Sequence, residues 1–210
     1  RLCLSRSARP SSAVATETLF ELLHDRHRIR RWRIGREPGL RAITRDQVHE
    51  FYRDFYQPSN TVLVVVGDIE PDHALRLVKQ HYGRLPNSGV RRDRGPAEPE
   101  PVRPAFRYRE MQGDVQQAEL VFGWRTPGVA HDDTPALDLL ATVLSAGRAS
   151  RLYRAVRERR LASSVTAFNY TPDELGVFVV HAAATAERSR AASNAVWDEV
   201  RRAREGEITE

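Results

Sequence analysis

Y-Q-P-S-N-T-V-L-V-V-V-G-D, running from Tyr56 to Asp68, carries its own start and stop signals. Pro58 and Asn60 make a turn, Val62 to Val66 is too rich in β-branched residues for a half-exposed strand, and Gly67-Asp68 ends the run. The reading is a central strand, covered on both faces. Immediately upstream, Thr44 with Gln47 three residues on makes a capping box, and Val48, Phe51, Tyr52 and Phe55 share one face of the helix that it opens. Immediately downstream, Pro71 suits a first helical position, Ala74, Leu75, Val78 and Tyr82 form an apolar stripe, and Gly83 with Pro86 closes the helix.

Farther toward the N-terminus, Thr16 to His24 predicts a short helix with Thr18, Leu19, Leu22 and Leu23 along one side, and Arg26 to Arg36 reads as an exposed connection. Toward the C-terminus the composition changes abruptly. Pro96, Pro99, Pro101 and Pro104 mix with charged residues between Asn87 and Pro104, which predicts an extended linker. Beyond it, Gln117 to Trp124 alternates as a strand. Thr134-Pro135 opens a helix carrying Leu137, Leu140, Ala141 and Leu144, and a second helix covers about Ser150 to Arg160. Strands at Ser164 to Tyr170 and Gly176 to Ala183 follow, then a helix from about Ala186 to Arg204 with Ala192, Ala195, Val196 and Val200 inward. The sum is an α+β fold, a two-layer sandwich of antiparallel or mixed sheet with helices on one face.

The order of helix, Y-x-P-x-N turn, buried strand, G-D and helix resembles the end of the first domain in the insulinase/pitrilysin family of zinc metallopeptidases. Ile34-Gly35 and Ile43-Thr44 resemble that family's approach to the helix, Tyr82-Gly83-Arg84-Leu85-Pro86 its exit, and Arg9-Pro10 a short motif that follows its third zinc ligand. The downstream half agrees more closely. Gln117 through Trp124-Arg125-Thr126-Pro127, Asp133 to Leu144, Ser150-Arg151-Leu152-Tyr153, and Arg157-Glu158 followed by Leu161-Ala162 and Ser164-Val165 each resemble family motifs in order, as do Gly176 to Val180 and Ile208-Thr209. The resemblance implies residues 1–86 as the end of a metal-bearing domain, 87–107 as the interdomain linker, and 108–210 as a second, related domain without metal, cut short at its C-terminus.

The chemistry expected of the family is partly missing. Its zinc is held by an H-x-x-E-H helix and a later glutamate, and the chain contains no such helix. The resemblance places those ligands before Arg1, so zinc is expected in the full-length protein and none in this chain. His24 and His27 are the only close histidine pair, at a spacing of three rather than four, and read as structural. No G-x-G-x-x-G, G-x-x-x-x-G-K-[ST] or G-x-S-x-G occurs, which removes nucleotide and serine-hydrolase readings. Asp132 and Asp133 read as helix capping. Cys3 is the only cysteine, so an intrachain disulfide is impossible. The net charge of +5 comes almost wholly from arginine, spread along the chain and interleaved with acids toward the C-terminus, which argues against nucleic acid as the partner. No apolar run approaches the roughly 20 residues of a membrane span.

In the family an arginine of the second domain, with a tyrosine a few residues later, holds the substrate backbone opposite the zinc. Arg157 matches that arginine, and Ser163 stands at the tyrosine's position. A guanidinium supplies several rigid donors for peptide carbonyls. The bland alternative is one exposed arginine among Arg154, Arg159 and Arg160. The expectation is therefore a fragment of a zinc metalloendopeptidase, inactive alone, forming the wall that encloses a peptide or unfolded protein. The alternative is a non-catalytic subunit in a homo- or heterodimer with a related peptidase. A bacterial periplasmic or otherwise extracytoplasmic setting is what the resemblance suggests.

Overall fold

The computed structural model describes residues 11–31, 35–89, 95–96, 98–102 and 105–206. Arg9-Pro10, Ile34, Ile208-Thr209 and Cys3 lie outside them. Contacts divide the chain into two units, 34–96 on one side and 1–33 with 97–210 on the other. This grouping differs from the boundaries drawn on the sequence, because the N-terminal helix packs with the C-terminal sheet.

In the larger unit, β1 (Ala118–Pro127), β2 (Ser164–Tyr170) and β3 (Leu175–Ala184) form an antiparallel sheet in the order β1-β3-β2. The central strand is β3, and Val177, Phe178, Val179 and Val180 are buried one after another. Such a run, apolar on both sides of the pleat, needs cover on both faces. On one face Phe178, Val180, Ala182 and Ala184 join Leu144, Leu152, Val156, Ala192 and Val196 in the main core. Those residues come from α5 (Thr134–Ser145), a π-helix (Tyr153–Glu158) with Leu152 as its N-cap, and α6 (Ala186–Arg204). These are the helices expected on one face.

The other face carries a helix that the two-layer reading did not include there. Helix α1 (Ser11–Leu23) crosses β1 at Gly123, where a Cβ would lie 2.6 Å from Leu19 Cδ2 and 2.9 Å from Leu23 Cδ1. Phe20 adds an edge-to-face contact with Tyr170 of β2, the ring centroids 5.8 Å apart. At the far end of α1, Ser11 donates to Glu119 Oε1, while Glu119 Oε2 pairs with His181 Nε2 at 2.7 Å. Helix α5 begins at Thr134, one residue before the expected first position at Pro135. Asp133 is its N-cap without a side-chain bond, and Thr134 is already helical, its hydroxyl donating to Gly128 O.

The smaller unit contains α2 (Glu37–Ala42), α3 (Arg45–Phe55) and α4 (Pro71–Tyr82). Both halves of the expected capping box at Thr44 and Gln47 are formed. The Y-Q-P-S-N turn is the unit's polar hub: Gln57 Oε1 accepts from Ser88 N and Oγ, and Asn60 Nδ2 donates to Phe55 O. The valine run departs from expectation. Residues 61–66 form no ladder with any described strand, and Val62 and Val66 are 88% and 91% exposed. The composition demands a cover that nothing in residues 35–89 supplies.

Candidate functional site

Ser150 to Ser163 is built from the inside out. Leu152 and Val156 are fully buried in the core and fix one side of the π-helix. Ser150 donates to Gly147 O, tying the start of the segment to the preceding turn. Arg151 Nε donates to Glu199 Oε2 at 2.9 Å, and Arg202 Nη1 reaches the other oxygen of the same carboxylate, so α6 grips the segment from the side. At the far end Leu161 N donates to Val156 O, an i→i+5 bond, and Arg160 turns the chain with φ of +56°. The wider coil of a π-helix recurs at functional sites because it re-aims side chains without breaking the helix.

The residues of the S-R-L motif therefore anchor, and the outer face is left to Arg154, Arg157, Arg159 and Arg160, all exposed. Among the described residues none of these four guanidiniums has an acidic partner. Ser163 lies at the head of β2. Its N–H donates to Ala183 O at 2.7 Å and its hydroxyl comes within 2.8 Å of Gln117 Oε1. It is occupied by the sheet and lacks the reach of a phenol.

His24 and His27 belong to a second cluster, where α1 ends. Glu100 accepts the backbone N–H groups of Asp25, Arg26 and His27. Arg125 donates to Leu23 O and Pro101 O, and Arg107 donates to Leu22 O and to both oxygens of Asp25. The last carbonyls of α1 are thus satisfied by two guanidiniums. His27 Nε2 donates to Glu174 Oε2, also held by Arg28, and its Nδ1 accepts from Ile29 N. His24, wholly buried, donates Nδ1–H to Phe20 O, and its Nε2 has no partner among the described residues. A zinc ion does not fit here. Both nitrogens of His27 are engaged, and no group of three His, Cys, Asp or Glu side chains able to hold a metal occurs among the described residues.

This cluster sets the response to acid. Burial pushes the His24 pKa below 6.5, helped by Arg125 and His27 and opposed by the bond to Phe20 O and the charge of Glu100. The unfolded chain then binds the proton more readily, so the stability held in neutral His24 is complete above pH 6.5 and drains as the pH falls below it. Burial would raise the Glu100 carboxyl, but the three N–H donors and Arg125 hold it down at about 2. Its contribution is complete above 4.5 and is lost between 4.5 and about 2. Urea midpoints recorded against pH should begin to fall below 6.5 and lose the Glu100 contribution between 4.5 and about 2, and His24→Leu should remove the loss that begins at 6.5.

Comparison with known proteins identifies the family. Residues 42–210 match the profile of the peptidase M16 inactive domain, and the chain belongs to that family. It is 34% identical over 185 residues to an uncharacterised zinc protease of Mycobacterium tuberculosis strain H37Rv, covering 85% of this chain and 41% of that protein. Its fold is similar to the crystal structure of a protease from Helicobacter pylori, with a TM-score of 0.73, 24% identity, and coverage of 92% of this chain and 48% of that one. It is likewise similar to the first half of the periplasmic protease PqqL from Escherichia coli, with a TM-score of 0.62 at 21% identity over 87% of this chain and 40% of that one. The chain thus spans less than half the length of the relatives that it matches. Among the described residues no helix is long and apolar enough to cross a membrane.

Proposed function

We propose that the chain is the zinc-free, substrate-enclosing part of an insulinase/pitrilysin-like metalloendopeptidase, inactive by itself and completed by sequence that carries the metal. In that reading residues 1–86 close the metal-bearing domain, residues 87–107 are the linker, and residues 108–210 belong to the second, zinc-free domain. The observation that carries it is Arg157. It stands exposed, with no acidic partner among the described residues, on a π-helix whose inner side is locked into the core, which suits a guanidinium that must meet peptide carbonyls at a fixed position. With Ser163 engaged by the sheet, holding the peptide falls to Arg157 without a companion phenol. The compartment proposed is extracytoplasmic, supported by the likeness in fold to the periplasmic protease PqqL.

In the full-length protein Arg157→Ala should lower kcat/KM for peptide cleavage by about 10- to 100-fold, as expected for charge-assisted hydrogen bonds of about 1.5–3 kcal/mol. Thermal stability should be unchanged, because the side chain is outside the core. Unaltered cleavage in that variant would remove Arg157 from the substrate site. A second reading, a non-catalytic subunit paired with a related active chain, is favoured by the family's description as an inactive domain. It predicts that peptide cleavage appears only when such a partner is added.

A further inference from the structure

Many arginines of the larger unit, Arg109 with Glu21 among them, pair with a carboxylate, and others, such as Arg148, Arg190 and Arg204, stand singly and have none among the described residues. Arg28, Arg107, Arg125, Arg151, Arg201 and Arg202 each pair with a carboxylate. Arg154, Arg157, Arg159 and Arg160, in contrast, crowd one short segment with Glu158 as its single acid, and no carboxylate among the described residues reaches them. Arg188, at the start of α6, adds a further positive charge, its guanidinium donating to the Arg160 carbonyl. Six residues of helix extend at most roughly 9 Å, less than the Debye length of about 10 Å at 0.1 M salt. These cations therefore act on an approaching ligand as one patch. Like charges held this close repel one another, and a ligand that brings carboxylates relieves the repulsion as well as pairing.

We propose that this arginine face selects acidic polypeptide segments, so that substrates rich in Asp and Glu are favoured beside Arg157. The inference rests on the assignment of Arg157 to the peptide-binding wall and adds the chemical class of the peptide. Arg157 holds the backbone, whereas Arg154, Arg159, Arg160 and Arg188 read the side chains. Nucleic acid is the less favoured ligand, because the face carries no exposed aromatic side chain for stacking bases beyond Tyr153, which is half-buried.

The test measures fluorescence anisotropy of labelled peptides with the 210-residue chain: one Glu-rich, one neutral and one Lys-rich, of equal length, beside a single-stranded oligonucleotide. The Glu-rich peptide is expected to bind at least about tenfold more tightly than the neutral one at low salt, the preference shrinking as salt rises. The combined variant Arg154→Ser, Arg159→Ser, Arg160→Asn keeps Arg157 and should abolish the preference while leaving neutral-peptide binding intact. Lysine at the same three positions should restore it. Asn at 160 tolerates the left-handed backbone, and circular dichroism verifies that the fold is kept. Equal affinity for Glu-rich and neutral peptides, no binding of the Glu-rich peptide, a preference that survives the triple variant, or tighter binding of the oligonucleotide would each overturn the proposal. Loss of neutral-peptide binding in Arg157→Ala belongs to the positioning reading, so failure of one reading is distinguishable from failure of the other.

Discussion

Replacing Glu100 by alanine is expected to destabilise the sheet unit by about 3 kcal/mol, the lower end of what breaking a buried charged pair costs. Its carboxylate is only 8% exposed and is the acceptor for three consecutive backbone N–H groups as well as the partner of Arg125. Truncation leaves those donors facing the space it vacated, and it leaves Arg125 beside Asp25 and the end of α1 with one anion fewer. Glu100→Gln retains one acceptor oxygen and should cost less, so the pair of variants separates the hydrogen bonds from the charge. Equilibrium urea unfolding at pH 7 is the measurement. A loss below about 1 kcal/mol in the alanine variant, the range of an exposed pair, would show that the cluster does not hold α1 to the sheet. Because α1 also shields Gly123 of β1, the alanine variant should expose that face, and proteolysis should cut first near residues 24–31.

The contrast between this cluster and the helices around it shows what a sequence can reveal. The bounds of β2 and α6 follow from local periodicity and turn chemistry, and the capping box at Thr44 is complete within four residues, so these elements were legible as they stand. The S-R-L motif was legible for the same reason, since Arg151 and Leu152 do their anchoring wherever α6 supplies Glu199. The docking of α1 was not. It depends on Gly123, a residue more than a hundred positions away whose missing side chain makes room for Leu19 and Leu23, and on Glu100 in a segment that composition marks only as linker. Short helix α2, directly after the basic connection, is not legible, because Glu37-Pro38 gives a start without an apolar stripe. The sequence predicts an ordinary helix where the π-helix stands, since the spacing of Leu152 and Val156 is that of either. The valine run erred in another way. β-branched composition states that Val62 to Val66 must be covered, but the covering atoms are not within 35–89, so the demand was legible and its fulfilment was not.

Leu152→Ala should cost about 2–5 kcal/mol, the range for deleting a fully buried leucine side chain whose surroundings collapse only in part. Leu152 has no exposed surface and belongs to the core formed by α5, α6 and β3, so little of the cavity can be refilled by solvent. Leu152→Met, which nearly conserves volume, should lose less than about 1.5 kcal/mol. The consequence reaches the proposed site through geometry. Leu152 and Val156 are the two inward residues that hold the π-helix, and Arg157 follows Val156 directly, so a cavity at 152 loosens the support of the guanidinium without touching it. In the full-length protein, Leu152→Ala assayed well below its melting temperature should therefore raise KM for peptides, while Leu152→Met leaves it unchanged. A variant that loses the stability but keeps the KM would show that the Arg151 bond to Glu199 is sufficient to place the segment, and the double variant with Arg151→Ala would then be the one to shift KM.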